Sequence, residues 1–328
     1  MKITFLLSRG PRLWSPSDLW LRSAVAAARR FAPSGAILLV QAHPGRNRFA
    51  GWMYEEAGGK CLWIGADIER RPSKRELFEW DHLRCREADL LVVLDIRPGG
   101  NMERCLEEAV SLGKRIVCPR ENSAAASFLE ERFPGRCEIM DLRIEIPRIS
   151  PPPLPPLRRP EGEFLWHYTR SCPGPWPGQR TEEYFRSLVE NHPLSGHTAG
   201  DTLARIWNEG RLRAGGGLIR GGVPVVCFSE ASPEEISELH RYRPALLRWD
   251  FEPFAIGIPI ALAKSLGARK VQHRSPEEWK RLQPEQRWLY QKFLPGSSDY
   301  RAEREWRIRG DVVLTEIEEK LAVFHPGE

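Results

Sequence analysis

Along the first 145 residues, short apolar runs alternate with stretches in which apolar positions recur every three or four residues. The runs are ITFLLS (Ile3–Ser8), AILLVQ (Ala36–Gln41), CLWIG (Cys61–Gly65), ADLLVVLD (Ala88–Asp95) and KRIVCP (Lys114–Pro119). Between them the spacing predicts helices over Ser17–Phe31, with Ser17 as N-cap, near Phe49–Ala57, over a charged stretch before Ala88, over Met102–Leu112 and near Ser123–Phe133. Strands that are apolar almost throughout must be buried on both faces. Alternating with helices, they predict a parallel sheet covered on both sides, an α/β doubly wound, Rossmann-like domain.

Residues Ile146–Pro160, IPRISPPPLPPLRRP, interrupt this pattern. Proline at that density neither pairs in a sheet nor continues a helix, so an extended polyproline spacer is expected; PPLPPLR also fits a proline-motif ligand. Beyond it, FLWHYT, VPVVCFSE, FAIGIPI, ARKVQH and EREWRIRGDVVL read as short strands with few helices between them. One helix is expected over Thr202–Glu209, with Asp201 as N-cap and Gly210 as terminator, and an aromatic-rich one over Glu277–Phe293. Strands that do not alternate regularly with helices predict an α+β domain.

A length of 328 residues supports this division into two domains, 1–145 and 161–328, joined by a linker over 146–160. The composition, 41% apolar and 28% charged, is that of a globular protein. The net charge of +5 comes from arginine spread along the chain, which favours an anionic ligand only weakly. Seven cysteines without a C-x-x-C pair predict reduced core residues in a cytoplasmic protein, with no zinc or other metal site. The apolar N-terminal run is too short for a signal peptide, and no segment is long enough for a membrane span.

In a doubly wound sheet, ligands bind beyond the carboxyl ends of the strands, where helix N-termini present free N–H groups to anions. Three loops fall there, SRGP (Ser8, Arg9, Gly10), AHPGRNR (with Gly45 and Arg46) and DIRPGGNME (with Arg97, Gly99, Gly100 and Glu103). Each carries glycine for close backbone approach and arginine for charge, so together they form a candidate nucleotide cradle. The strand, glycine loop and helix of ADLLVVLDIRPGGNMERCLEEAVSLGKRIVCP resemble those of the SLOG superfamily of nucleotide-binding Rossmannoids, which includes the DNA-processing protein DprA and the "lonely guy" phosphoribohydrolases. GRNRFAG is similar to the DprA arginine-asparagine-arginine stretch. The phosphoribohydrolase pattern continues through Gly-Thr to a glutamate, whereas this chain has Asn101 and Met102 before Glu103. The resemblance implies nucleotide sensing rather than hydrolysis at Arg97 and Glu103.

In the second domain AEREWRI reads as a strand, which would set Glu303 and Glu305 on one face. The order of elements, a His-Tyr-Thr strand, a helix ending EGRL, a strand ending FSE and a late glutamate strand, resembles that of ADP-ribosyltransferase-like domains. Residues 163–315 are also similar to AbiG-type abortive-infection domains. The first resemblance implies NAD as substrate, held by His167, Tyr168, Thr169, Phe228 and Ser229, with Glu305 as catalytic residue and Glu303 on the acceptor side. Chemistry at a nicotinamide glycosidic bond suits these residue types. A carboxylate facing the oxocarbenium-like centre stabilises its positive charge, and a neighbouring one with a raised pKa accepts a proton.

The expectation is therefore a nucleotide-sensing effector of a defence or toxin type, whose C-terminal domain transfers ADP-ribose to a protein or nucleic-acid acceptor or hydrolyses NAD. The alternative is a non-enzymatic, DprA-like protein that binds single-stranded DNA. The sequence leaves open the acceptor, the signal and whether the protein is a homo-oligomer.

Overall fold

The computed structural model describes residues 1–328 except 11–12, 44, 68–69, 71, 149, 151, 244–247, 297–298 and 328. The chain forms two compact units, one comprising Met1–Ser150 with Gly174–Ser195, the other Pro151–Pro173 with Gly196–Glu328.

The first unit is built on six parallel strands, β1 (Lys2–Leu7), β2 (Ile37–Gln41), β3 (Lys60–Ile64), β4 (Leu90–Asp95), β5 (Arg115–Pro119) and β6 (Cys137–Met140), in the order β3-β2-β1-β4-β5-β6. Helices α1 (Leu19–Phe31), α2 (Arg46–Glu56), α3 (Lys74–Glu87), α4 (Asn101–Ser111) and α5 (Ser123–Arg132) connect them. Alternate strand residues supply two cores. Ile3, Phe5, Leu38, Val40, Val92 and Leu94 pack on one side, and Leu6, Leu39, Leu91, Val93, Ile116 and Cys118 on the other. Burial on both faces is why β1, β2, β4 and β5 read as unbroken apolar runs, whereas the edge strands β3 and β6 are partly exposed; the sheet is the expected Rossmann-like one.

Two local expectations change. Helix α1 begins after Asp18, whose carboxylate accepts the Ser15 N–H and the Trp20 indole N–H, both at 3.1 Å, while Ser17 is engaged with the Ser15 hydroxyl at 3.0 Å. Residues 174–195, read above with the second domain, cluster with the first unit and contribute helix α6 (Thr181–Val189). Its buried face is Tyr184, Phe185 and Leu188; Trp14 stacks against both rings with centroids 6.0 Å away. The Arg22 guanidinium donates to the carbonyls of Leu188 and Val189, each at 3.0 Å, and so caps the helix C-terminus.

The second unit is α+β. Its main sheet comprises β7 (Phe164–Tyr168), β8 (Val225–Ser229), β9 (Ala255–Pro259), β10 (Arg269–Lys270), β11 (Glu305–Arg309) and β12 (Ala322–Phe324), all pairs antiparallel, in the order β10-β11-β8-β7-β9-β12. Strands β8 and β11 pair over five residues, as do β7 and β9, but β7 and β8 meet at one described bridge, Trp166↔Ser229. The sheet is thus two three-stranded halves joined at a single rung.

Helix α7 (Ala199–Glu209) packs Leu203 into this core and is capped by the Thr198 hydroxyl. Asp201, expected as the N-cap, closes the capping box from the third helical position, and Gly210 ends the helix at φ +58°. The stretch Glu277–Phe293 is not one helix. A four-residue helix ends at Trp279, Pro284 opens a 3₁₀ turn, and Tyr290–Lys292 is extended. Trp288 is buried, whereas Trp249 is exposed.

From Pro152 on, the proline-rich segment is tied to the second unit rather than free-standing, while Ile146–Ser150 cluster with the first. Leu154 packs against its core, Arg158 bridges Val323 in antiparallel fashion, and His325 Nε2 donates to the Pro155 carbonyl at 3.0 Å.

Candidate functional sites in the two units

In the first unit the strand order reverses between β1 and β4, which opens a crevice beyond their carboxyl ends. The Ser8 hydroxyl accepts the Arg97 N–H at 2.8 Å, and the Ser8 N–H donates to the Asp95 carbonyl at 2.9 Å, so the first and third predicted loops are joined there. Arg46, at the start of α2, crosses this junction. Its guanidinium donates to the Ser8 carbonyl at 3.1 Å, pairs with Asp95 and lies 4.5 Å from the Trp20 ring centroid. Burial lowers the Arg46 pKa while Asp95 pulls it back up. A Cβ on Gly10 would sit 1.8 Å from Arg46 Nη2, which explains the glycine in SRGP. Arg9 beside it is exposed.

The structure therefore brings together Ser8, Gly10, Arg46 and Arg97, and Gly45 (φ +123°) supplies the turn into α2. Gly99, at φ +71°, and Gly100 lead into α4. Glu103 does not face the crevice as an open group. It accepts the Gly99 N–H at 2.6 Å and Arg132 at 3.0 Å, which holds its carboxyl below the ordinary range.

Sequence reasoning missed the network behind these loops. The buried Asp81 carboxylate accepts Gln41 Nε2 at 2.6 Å, Arg84 Nη2 at 3.0 Å and Asn101 Nδ2 at 2.9 Å. Asn47 Nδ2 donates to Gln41 Oε1 at 3.4 Å. Three buried atoms in this group, Arg46 Nε, Asn47 Oδ1 and Asn101 Oδ1, have no hydrogen-bond partner. Unsatisfied polar atoms at a switch-point crevice are suited to a polar ligand or ordered water. The signal in the sequence was Asn47 and Asn101, each in the first turn of the helix that follows its glycine loop.

In the second unit the paired glutamates do not share a strand. Arg301–Glu303 form a 3₁₀ turn, Arg304 is left-handed at φ +44°, and β11 begins at Glu305. The expected one-face arrangement is broken because the backbone reverses hand between the two carboxylates. They remain close enough for Glu305 to raise the pKa of Glu303. Glu303 pairs with Arg241 and accepts Arg243 Nη2 at 3.1 Å, while Arg243 also donates to Asp250 at 2.8 Å. Burial outweighs both arginines, and the Glu303 carboxyl is pushed up to about 7. Glu305 accepts Arg307 Nε at 2.7 Å and Nη2 at 3.1 Å. The buried Arg307 is fixed in turn by the carbonyls of Trp288 and Tyr290 and by Gln291 Oε1, at 2.7, 3.1 and 3.0 Å. Two buried nitrogens in this neighbourhood, Arg241 Nε and His273 Nδ1, have no hydrogen-bond partner.

The remaining predicted residues lie on the strands beside this centre or at their ends. Trp166 and Glu305 both lie level with Ser229, so His167, one step along its strand, faces the other side of the sheet from Glu305. The resemblance places His167 and Glu305 at one NAD site, whereas this alternation sets them on opposite faces of the sheet. His167 Nδ1 donates to the Cys227 carbonyl at 2.8 Å where the two half-sheets part, and its ring meets Phe228 edge-on at 5.8 Å. Burial lowers its pKa to about 4, so it is neutral at pH 7. Tyr168 donates to the Ala231 carbonyl and Thr169 to the Ala199 carbonyl, both at 2.8 Å. The Ser229 hydroxyl donates to the Glu303 carbonyl at 2.6 Å and accepts the Ala231 N–H at 3.0 Å, which pins the glutamate turn to the sheet. Burial raises the Cys172 thiol pKa, away from a reactive thiolate.

A cavity of about 600 Å³ opens beside the start of β11. Its walls include Phe164, Trp166, Trp306 and Phe324, with Lys264 and Arg304. Glu303 and Glu305 are outside its lining, but their chain neighbours Arg304 and Trp306 form part of it. None of the wall residues was singled out from sequence, although the alternation in EREWRI separates Arg304 and Trp306 from the glutamates. Among the described residues, no helix is long and apolar enough to cross a membrane, and no group of three His, Cys, Asp or Glu side chains could hold a metal ion.

No protein-family model matches the chain, and no curated protein matches it. Among solved structures, the molybdenum cofactor carrier protein of Chlamydomonas reinhardtii is 18% identical, with a TM-score of 0.33, over 44% of this chain and 92% of its own. The DNA processing protein A of Helicobacter pylori, whose structure describes single-stranded DNA binding, is 12% identical, with a TM-score of 0.35, over 44% of this chain and 77% of its own. The molybdenum cofactor binding protein of Rippkaea orientalis is 13% identical, with a TM-score of 0.32, over 43% of this chain and 87% of its own. The Rossmann-like assignment rests on the strand order itself.

Proposed function

We propose that the second unit binds NAD and breaks its nicotinamide glycosidic bond, and that the first unit is a SLOG-like domain that binds a nucleotide signal at the β1/β4 crevice. The observation that carries this reading is the half-buried Glu303 carboxyl, whose pKa is raised to about 7 next to an arginine-oriented Glu305. In hydrolysis the bond from the ribose C1′ to the pyridinium nitrogen breaks, and nicotinamide leaves with the electron pair. Glu305 stabilises the positive charge at C1′, a water oxygen bonds to C1′, and Glu303 takes the proton that this water loses. A carboxylate with a pKa near neutrality is matched to that last task. With an acceptor hydroxyl or amine in place of water, the same steps transfer ADP-ribose, the activity expected of a defence or toxin effector. Among the described residues no metal-binding group is needed for this scheme.

Glu305→Gln is expected to lower nicotinamide release from NAD by about a hundredfold or more, with circular dichroism unchanged. Turnover equal to the parent protein's would reject the assigned role. Binding of single-stranded DNA that weakens steeply with salt, in a protein that releases no nicotinamide, would favour the non-enzymatic alternative instead.

A further inference from the structure

The aromatic cavity beside β11 adjoins another hollow of the second unit. The other, about 590 Å³, shares Gly162, Glu163, Phe164, Ile260 and Lys264 with it and adds Glu161 and Lys320. Lys264 therefore stands where the two meet. It projects from helix α8 (Ile260–Ser265), its ammonium 5.6 Å from the Trp306 ring centroid.

The charges around it are unequal in their commitments. Arg304 pairs with Glu235 at 2.6 Å, and Arg159 lies 4.0 Å from Glu234. Glu230 accepts the Trp306 indole N–H at 2.7 Å and Lys270 at 3.3 Å. Among the described residues, Lys264 has no carboxylate within ion-pair distance. A lysine in no ion pair, at the junction of two hollows of ligand size that Glu163 also lines, is placed for an anionic link between two bulky ends.

We propose that the two hollows hold the two ends of a dinucleotide and that Lys264 binds the pyrophosphate between them. The nicotinamide riboside end occupies the hollow walled by Trp166 and Trp306, at the end of β11 where Glu305 begins the strand. Its ring is a flat cation, which aromatic faces and the Glu230 carboxylate both favour. The adenosine end occupies the second hollow, near Lys320. This deepens the NAD reading and rests on it for the orientation of the ligand; the phosphate role of Lys264 is testable without any turnover.

The experiment is calorimetric titration of ADP-ribose and of adenosine into the full chain, its Lys264→Ala and Lys264→Arg variants, and Trp306→Leu. ADP-ribose affinity should fall about tenfold or more in Lys264→Ala, recover in Lys264→Arg, and fall in Trp306→Leu, while adenosine should bind the parent and the Lys264→Ala variant alike. Equal ADP-ribose affinity in the parent and in Lys264→Ala would overturn the proposal, as would no ADP-ribose binding by the parent. Lys264-dependent ADP-ribose binding in a protein that never releases nicotinamide would uphold the site while refuting the reaction.

Discussion

Glu303→Gln separates the two roles that burial gives this side chain. A rise from the ordinary 4.5 to about 7 means that folding favours the protonated carboxyl over the charged one by about 3 kcal/mol. A raised pKa contributes stability that is fully present below 4.5 and is lost as pH climbs through 7. Glutamine keeps the shape and neutrality of the protonated form at every pH. In urea unfolding followed by tryptophan fluorescence, the variant and the parent should therefore differ little at pH 5, and by pH 8 the variant should be the more stable by about 3 kcal/mol. Other titrating groups, His167 among them, are common to both proteins and cancel in the difference. A stability difference that stays constant between pH 5 and pH 8 would refute the reasoning, as would a variant that becomes relatively less stable as pH rises. Either would mean that Arg241 and Arg243 hold Glu303 ionised and that it is no proton acceptor near neutrality.

His167, with its pKa lowered to about 4, has the opposite sign: stability should fall as pH drops from 6.5 towards 4, and His167→Phe should abolish that slope in urea titrations while costing about 1–3 kcal/mol at pH 7.5 through the unsatisfied Cys227 carbonyl. Arg46→Ala should lower the unfolding midpoint by an amount equivalent to about 1–2 kcal/mol, because the Ser8 carbonyl and Asp95 lose their donor, and should weaken calorimetric binding of a nucleoside phosphate. Gly210→Ala should cost about 1–2 kcal/mol by thermal unfolding, since the residue is at φ +58° and a Cβ there would lie 2.4 Å from Thr315 Cγ2.

Four of the five apolar strands of the first unit were legible because they are buried on both faces, and the glycines at the strand ends located the crevice; the fifth, β3, is apolar in sequence yet leaves Leu62 exposed. Helix starts were less so. Ser15, Ser17 and Asp18 all offer capping oxygens within four residues, and Trp20 and the Ser15 N–H decide for Asp18. The insertion of α6 into the first unit was hidden because proximity in sequence suggested the second. Its apolar face of Tyr184, Phe185 and Leu188 announces a partner but does not name Trp14, 170 positions upstream of Tyr184. In the second unit, residue types identified the paired glutamates and the strands around them, whereas the left-handed Arg304 and the single rung between β7 and β8 are tertiary features. Those two features place Glu303 on a turn and turn His167 away from Glu305, and neither has a signature in local pattern.

The most direct test of the account is the pH dependence of nicotinamide release from NAD by the full chain, with Glu303→Gln alongside. The account predicts a rate that climbs through about pH 7 as Glu303 loses its proton, and a variant that is slower and has lost this limb. No release at any pH, or an identical limb in the variant, would contradict it.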